Sequence, residues 1–387
     1  MQRAIRYALA ALFLVSLSGS RFRCGSSSAS ASVPKTPYAA PKKPAKGITP
    51  NPLVSRGHAV TSNMSGSNPG KAVDGKYRDD AWAPGDKMTD EKPAYLSVDV
   101  GQGPSKLVLN WTSSFDFPFN DTTYGGFGAW RIETSADSDD GKDGTWKVAA
   151  QTKDNTYRGR EQAFDFTGQR WVRLAVTAKT AKTNQYGVKV DELDLHDASA
   201  GSEDTWFFFG DSITAFSYDR EAKHQPSFAE LIAKKHPGYF PLMVNGGIGF
   251  EKSSDGLARL PALIKEFPDV KYWAICYGTN DAAGNSHPGP DFKSNLEGMV
   301  KLLKDAGRVP IFAHVPFSTK EHDYIPEYNQ VIDDVTAKNG LTPGPDLYSH
   351  FKAHPGELSD GIHPNDAGIV SINRLWAESV DGLYTGK

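Results

Sequence analysis

Near residue 202 the hydrophobic period of the chain changes, so that one kind of secondary structure cannot account for both halves. Between residues 50 and 196 short runs alternate with period two, as at Leu96, Val98 and Val100, at Trp130, Ile132 and Thr134, and at Val172, Leu174 and Val176. Such alternation turns one face of a strand to a core and the other to water. Gly, Asp, Asn and Lys turns separate the runs and no long amphipathic helix interrupts them, which predicts an antiparallel β-sandwich, or jelly roll. Beyond Ser202 strand and helix patterns take turns. An apolar run at 205–209 enters Gly210, a helical pattern follows Pro226 as a first-turn residue, and a strand ends at Asn245. Leu257, Leu260, Ile264 and Phe267 then share a helix face, residues 272–277 read as a strand, Leu296, Val300 and Leu303 mark another helix, and 309–314 is again strand-like. This order predicts an α/β region: a parallel sheet with helices on both faces.

A chain of 387 residues suits two cores, and the low-complexity stretch 197–202 (Asp-Ala-Ser-Ala-Gly-Ser) is the expected boundary. Arg3 and Arg6 precede an apolar run at 8–17 that is too short to span a bilayer, and Ala29-Ser30-Ala31 offers a cleavage site. Residues 1–31 are therefore expected to be an export signal, leaving an extracytoplasmic protein with no transmembrane segment. Cys24 raises lipid anchoring as an alternative, but the bulky, charged Arg21-Phe22-Arg23 before it argues against that. Residues 32–50, rich in Pro, Ser, Ala and Lys, read as a linker that cannot offset its own ordering entropy. With 43 Lys and Arg against 46 Asp and Glu, no basic excess points to nucleic acid. The second of the two cysteines, Cys276, lies in an apolar run and reads as a small buried hydrophobe, so no disulfide framework is expected.

Open α/β sheets bind ligands beyond the carboxyl ends of their strands. Three such loops carry unusual polar residues: 210–213 (Gly-Asp-Ser-Ile), 245–250 (Asn-Gly-Gly-Ile-Gly-Phe) and 278–281 (Gly-Thr-Asn-Asp). A fourth group, Asp360-Gly361-Ile362-His363-Pro364, precedes the last helix. An Asp and a His three apart let the carboxylate accept the imidazole Nδ1 hydrogen, which leaves Nε2 to take a proton from a serine. Gly-Asp-Ser is by itself also a common turn and helix start, and Asp211 and Asp281 are read as structural residues near helix starts. His224, His236, His287, His314, His322, His350 and His354 show no metal-pair spacing on a helix face, since Pro355 and Gly356 follow His350 and His354 at once.

Together and in this order, the four blocks resemble those of the SGNH/GDSL hydrolase family over residues 206–383. The resemblance implies a flavodoxin-like, three-layer fold and ester hydrolysis with Ser212 as nucleophile, His363 as general base and Asp360 as its orienting acid. It also implies an oxyanion hole built from the Ser212 N–H, the Asn280 side-chain amide and a further backbone amide, with no metal or other cofactor. The family ends its second block with a glycine that supplies that amide. Counting from Asn245 puts Phe250 there, one after Gly249. Either Phe250 gives the amide in an ordinary backbone conformation, or the loop shifts and Gly249 does.

Ala72-Val73-Asp74-Gly75, Trp82 and the run 93–101 resemble the discoidin, or coagulation-factor C-type, galactose-binding-like domain over residues 51–197. That implies a sandwich that binds sugars or surfaces through loops at one end, with a structural calcium possible. In the aromatic-rich stretch 115–130, Phe117, Phe119, Tyr124 and Phe127 are candidates either for sugar stacking or for the sandwich core. The combined expectation is an exported carbohydrate acetyl esterase acting on an acylated polysaccharide. The alternatives are a lipase- or thioesterase-type general esterase and a non-catalytic polysaccharide-binding protein.

Overall fold

The computed structural model describes residues 38–385 apart from 45, 66–67, 77–81, 86, 113–126, 156, 158–159, 180–188, 219–221 and 321–322. The export signal with Cys24, the aromatics Phe117, Phe119 and Tyr124, and His322 lie outside the described residues.

Among the described residues the first half has eight strands: β1 (Val60–Ser62), β2 (Ala94–Asp99), β3 (Lys106–Thr112), β4 (Phe127–Ser135), β5 (Lys147–Thr152), β6 (Arg160–Asp165), β7 (Trp171–Lys179) and β8 (Glu192–Asp197). They form a five-stranded sheet, β1-β2-β7-β4-β5, and a three-stranded sheet, β6-β3-β8. Every pairing is antiparallel. The period-two residues join the sheets, with Leu96, Val98, Ile132 and Leu174 of one sharing a core with Leu107, Leu109, Leu193 and Leu195 of the other. Phe127 and Trp130 are buried in it, Trp130 edge-on to Trp111 at 5.4 Å. Of the proposed stacking aromatics, Phe127 is therefore spent on the core.

In the second half β9 (Thr205–Gly210), β10 (Leu242–Asn245), β11 (Tyr272–Cys276) and β12 (Val309–Phe312) form a parallel sheet in the order β10-β9-β11-β12. Its helices are α1 (Ser212–Ser217), α2 (Phe228–Lys235), α3 (Ser253–Glu266), α4 (Pro290–Asp305), α5 (Ile325–Asn339), α6 (Leu347–Ala353), α7 (Asp366–Ser379) and α8 (Asp381–Thr385). Phe207 and Phe209 enter a core with α3, α4 and α5, whereas Trp206 and Phe208 enter one with α1, α2, α6, α7 and α8. A strand covered on both faces has no solvent side, which explains its unbroken apolar run.

Three features differ from the sequence reading. Pro226 stands ahead of α2 rather than in its first turn, because Ser227 caps the helix in a reciprocal capping box with Glu230. The stretch read as a linker to residue 50 is docked at its end: Ile48 is buried beside Trp206 and Tyr384, and its N–H donates to Leu383 O at 3.1 Å. The two halves also meet across the expected boundary. Val108, on the outward face of β3, packs into the α3–α5 core, and Asn110 Nδ2 donates to Met243 O of edge strand β10 at 3.1 Å. Residues Tyr38–Lys387 accordingly form one compact unit.

Candidate active site

The site is built at the carboxyl end of the parallel sheet, where β9 gives way to α1. A Cβ on Gly210 would lie 2.2 Å from Thr214 Oγ1 and 2.4 Å from Cys276 O, so only glycine passes there. Asp211 caps α1, its carboxylate accepting the Ile213 N–H at 2.9 Å. This is the structural role expected of it, and complete burial pushes its carboxyl up to about 7. Ser212 is thus held at the first helical position, where a backbone N–H has no partner within the helix.

The last loop reaches back to this serine. Ser212 Oγ lies 2.9 Å from His363 Nε2, and His363 Nδ1 lies 2.9 Å from Asp360 Oδ2. With Nδ1–H donating to the carboxylate, Nε2 presents its lone pair to the serine hydroxyl. The other Asp360 oxygen accepts the N–H groups of His363 at 2.8 Å and Ile362 at 3.0 Å. Partial burial opposes ionisation of Asp360, but these donors outweigh it and bring the carboxyl down to about 2. Gly361, at φ +88°, lets the loop turn, and its carbonyl accepts from Thr319 N and Ser318 Oγ, each at 2.9 Å. From α1 the Phe216 ring stands edge-on to the imidazole at 5.6 Å.

The 245–250 loop flanks Ser212. Asn245 ties it to α1, donating to Ala215 O at 2.9 Å, and a Cβ on Gly247 would lie 2.2 Å from Ala215 N. A Cβ on Gly249 would come 4.0 Å from Ser212 Cβ. The ordinary backbone conformation expected of Phe250 is not found. Phe250 itself adopts a left-handed backbone, φ +68°, while Gly249 does not. The phenylalanine takes up a conformation that glycine adopts freely. Its ring is 88% exposed. Among the described residues, neither the Gly249 nor the Phe250 N–H has an acceptor.

Asn280 follows β11 and donates from Nδ2 to Glu251 O at 2.9 Å, which leaves its second amide hydrogen for other use. Asp281 accepts from Ser253 N at 3.0 Å and from Ser253 Oγ at 2.5 Å, holding the start of α3, and burial raises its pKa.

Sequence reasoning missed the network behind the 245–250 loop. Arg259 donates to Gly246 O at 2.6 Å, lies 2.8 Å from Glu251 Oε2, and packs 4.4 Å over the Phe209 ring. Tyr277 Oη donates to the same Glu251 oxygen at 2.7 Å. Burial raises the Glu251 pKa, opposed by Arg259. The signal available in the sequence was an arginine three residues after Gly256 and four before Leu263, on the buried face of α3.

Other described histidines have local partners. His350 pairs with Glu357 at 2.8 Å and His354 bonds to His350 O, while His314 bridges Asp333 and Asp346. Among the described residues no group of three or more His, Cys, Asp or Glu is placed to hold a metal ion. In the first half the buried Glu192 is paired with the Arg56 guanidinium at 3.1 Å, which also lies 2.9 Å from Asp194.

Residues 208–369 match the GDSL-like lipase/acylhydrolase family. An arylesterase of Vibrio mimicus is 27% identical over 173 residues, 43% of this chain and 83% of that protein. This region is a GDSL-type carboxylic ester hydrolase. The GDSL region is also similar to an acetylxylan esterase of Geobacillus stearothermophilus at 19% identity and TM-score 0.39, over 46% of this chain and 93% of that one. A lipase/acylhydrolase of Enterococcus faecalis is 24% identical at TM-score 0.38, over 46% of this chain and 95% of that one.

Proposed function

We propose that the protein is an exported esterase that removes acetyl groups from a polysaccharide by an acyl-enzyme route through Ser212, His363 and Asp360. The observation that carries the reading is the unbroken chain of contacts, 2.9 Å from Ser212 Oγ to His363 Nε2 and 2.9 Å from Nδ1 to Asp360. His363 Nε2 takes the hydroxyl proton as Oγ bonds to the carbonyl carbon. The oxyanion is met by the Ser212 N–H, the Phe250 N–H and the free Asn280 amide hydrogen, donors whose loss costs roughly 3 kcal/mol of barrier each. Asp360 stabilises the imidazolium, which then protonates the departing alcohol oxygen. Water repeats the sequence on the acyl-serine and releases acetate. The substrate class rests on the export signal and on a discoidin-like sandwich in the same chain, an argument from architecture.

Acetate release from acetylated xylan and pectin, set beside hydrolysis of long acyl esters, tests the reading. Release that is lost in Ser212→Ala supports it. Preference for acyl chains of eight carbons or more replaces it with a general lipase, and no Ser212-dependent hydrolysis leaves a binding protein. The Vibrio mimicus arylesterase favours a second reading, small aryl esters as substrates, which phenyl acetate tests in the same assay.

A further inference from the structure

Phe250 combines two features that folding alone does not favour. Its backbone is left-handed, a conformation that crowds Cβ against the following carbonyl in any residue but glycine. Its ring, 88% exposed, makes no ring contact among the described residues. Contacts on both sides hold it there: Ile248 N–H donates to Gly210 O at 2.9 Å, Arg259 grips Gly246 O and the Glu251 carboxylate, and Asn280 holds Glu251 O. Strain kept in place by its surroundings and paired with a bare aromatic ring points to a ligand.

The position says which ligand. Phe250 follows Gly249, whose Cβ position is 4.0 Å from Ser212 Cβ, and Phe216 of α1 stands 39% exposed and edge-on to His363, the group that protonates the departing alcohol in the proposed mechanism. We propose that the Phe250 ring, with Phe216 on the His363 side, is a stacking platform for the ring-bearing alcohol of the ester, a pyranose or an aryl group laid against the phenyl face. The inference rests on the esterase reading and specifies its alcohol side.

The test is the selectivity of Phe250→Gly and Phe250→Tyr across ethyl acetate, phenyl acetate and an acetylated xylo-oligosaccharide, read as kcat/KM. Phe250→Gly is expected to lower the preference for ring-bearing esters over ethyl acetate by about tenfold, whatever it does to turnover common to all three, while Phe250→Tyr keeps it. A fall confined to phenyl acetate assigns the platform to aryl groups, and one confined to the oligosaccharide assigns it to sugars. An equal loss on all three esters, or none, overturns the platform while leaving the esterase intact. No hydrolysis above Ser212→Ala by the wild-type protein overturns both.

Discussion

The 359–364 loop and the 245–251 loop, which flank Ser212, each contain one left-handed residue, Gly361 in the first and Phe250 in the second. In the first, the groups that orient His363 are engaged: Asp360 takes three donors, the Gly361 carbonyl accepts from Thr319 and Ser318, and Ser359 N–H closes the loop onto His363 O at 2.8 Å. In the second, the Gly249 and Phe250 amides have no acceptor among the described residues, and the fixing contacts come from behind through Arg259. Under the proposed mechanism the two states fit two tasks: a base must have its orientation settled before substrate arrives, whereas donors meant for a transition state must remain unclaimed until it forms.

The largest expected effect breaks the first loop. Asp360→Asn puts an amide hydrogen where the imidazole needs an acceptor, and kcat should fall about 10³- to 10⁴-fold with the fold retained. Steady-state kinetics and circular dichroism check this, and retention of a tenth of the activity would break the comparison. Removing the scaffold of the other loop comes next. Arg259→Met leaves Glu251 half-buried without its cation, and urea unfolding should show a loss of about 3 kcal/mol, with kcat falling more than KM rises. The two left-handed positions should respond with opposite signs. Gly361→Ala places a Cβ 2.4 Å from Thr319 Oγ1 at positive φ, and destabilisation of about 1–2 kcal/mol is expected. Phe250→Gly removes strain and should raise Tm, a gain of roughly 0.5–1 kcal/mol after the added freedom of the unfolded glycine. The smallest effect is one of pH. The folded Asp360 carboxyl, at about 2, lies below its ordinary value of 3.8, so its contribution is complete above that ordinary value and is lost as pH falls toward 2. Over that window wild-type Tm should drop more steeply than that of Asp360→Asn.

The sequence made the loops legible because each opens where an apolar strand stops and a polar, glycine-containing cluster begins. Ser212, Asn280, Asp360 and His363 all sit at such points, and the structure brings the serine, the histidine and Asp360 into contact. Arg259 was not legible, since its partners Gly246, Glu251 and Tyr277 belong to three separate segments and no spacing links them. The conformation of Phe250 escaped for a related reason: counting from Asn245 locates the position, whereas its φ follows from anchors elsewhere in the fold. Ile48 was hidden by composition, a single apolar residue in a Pro- and Lys-rich stretch whose burial depends on Trp206 and Tyr384 far along the chain. Asn110 likewise read as an ordinary outward-facing strand residue until β10 lay beside it.

That asparagine gives the first half of the chain a task independent of any sugar. An uncovered sheet margin is a template on which other chains add strands, and β10 lies at the margin of its sheet. With Asn110 donating to the Met243 carbonyl and Val108 packed into the apolar core next to it, the sandwich covers part of that margin. It would do so even in an enzyme whose substrate never touched it.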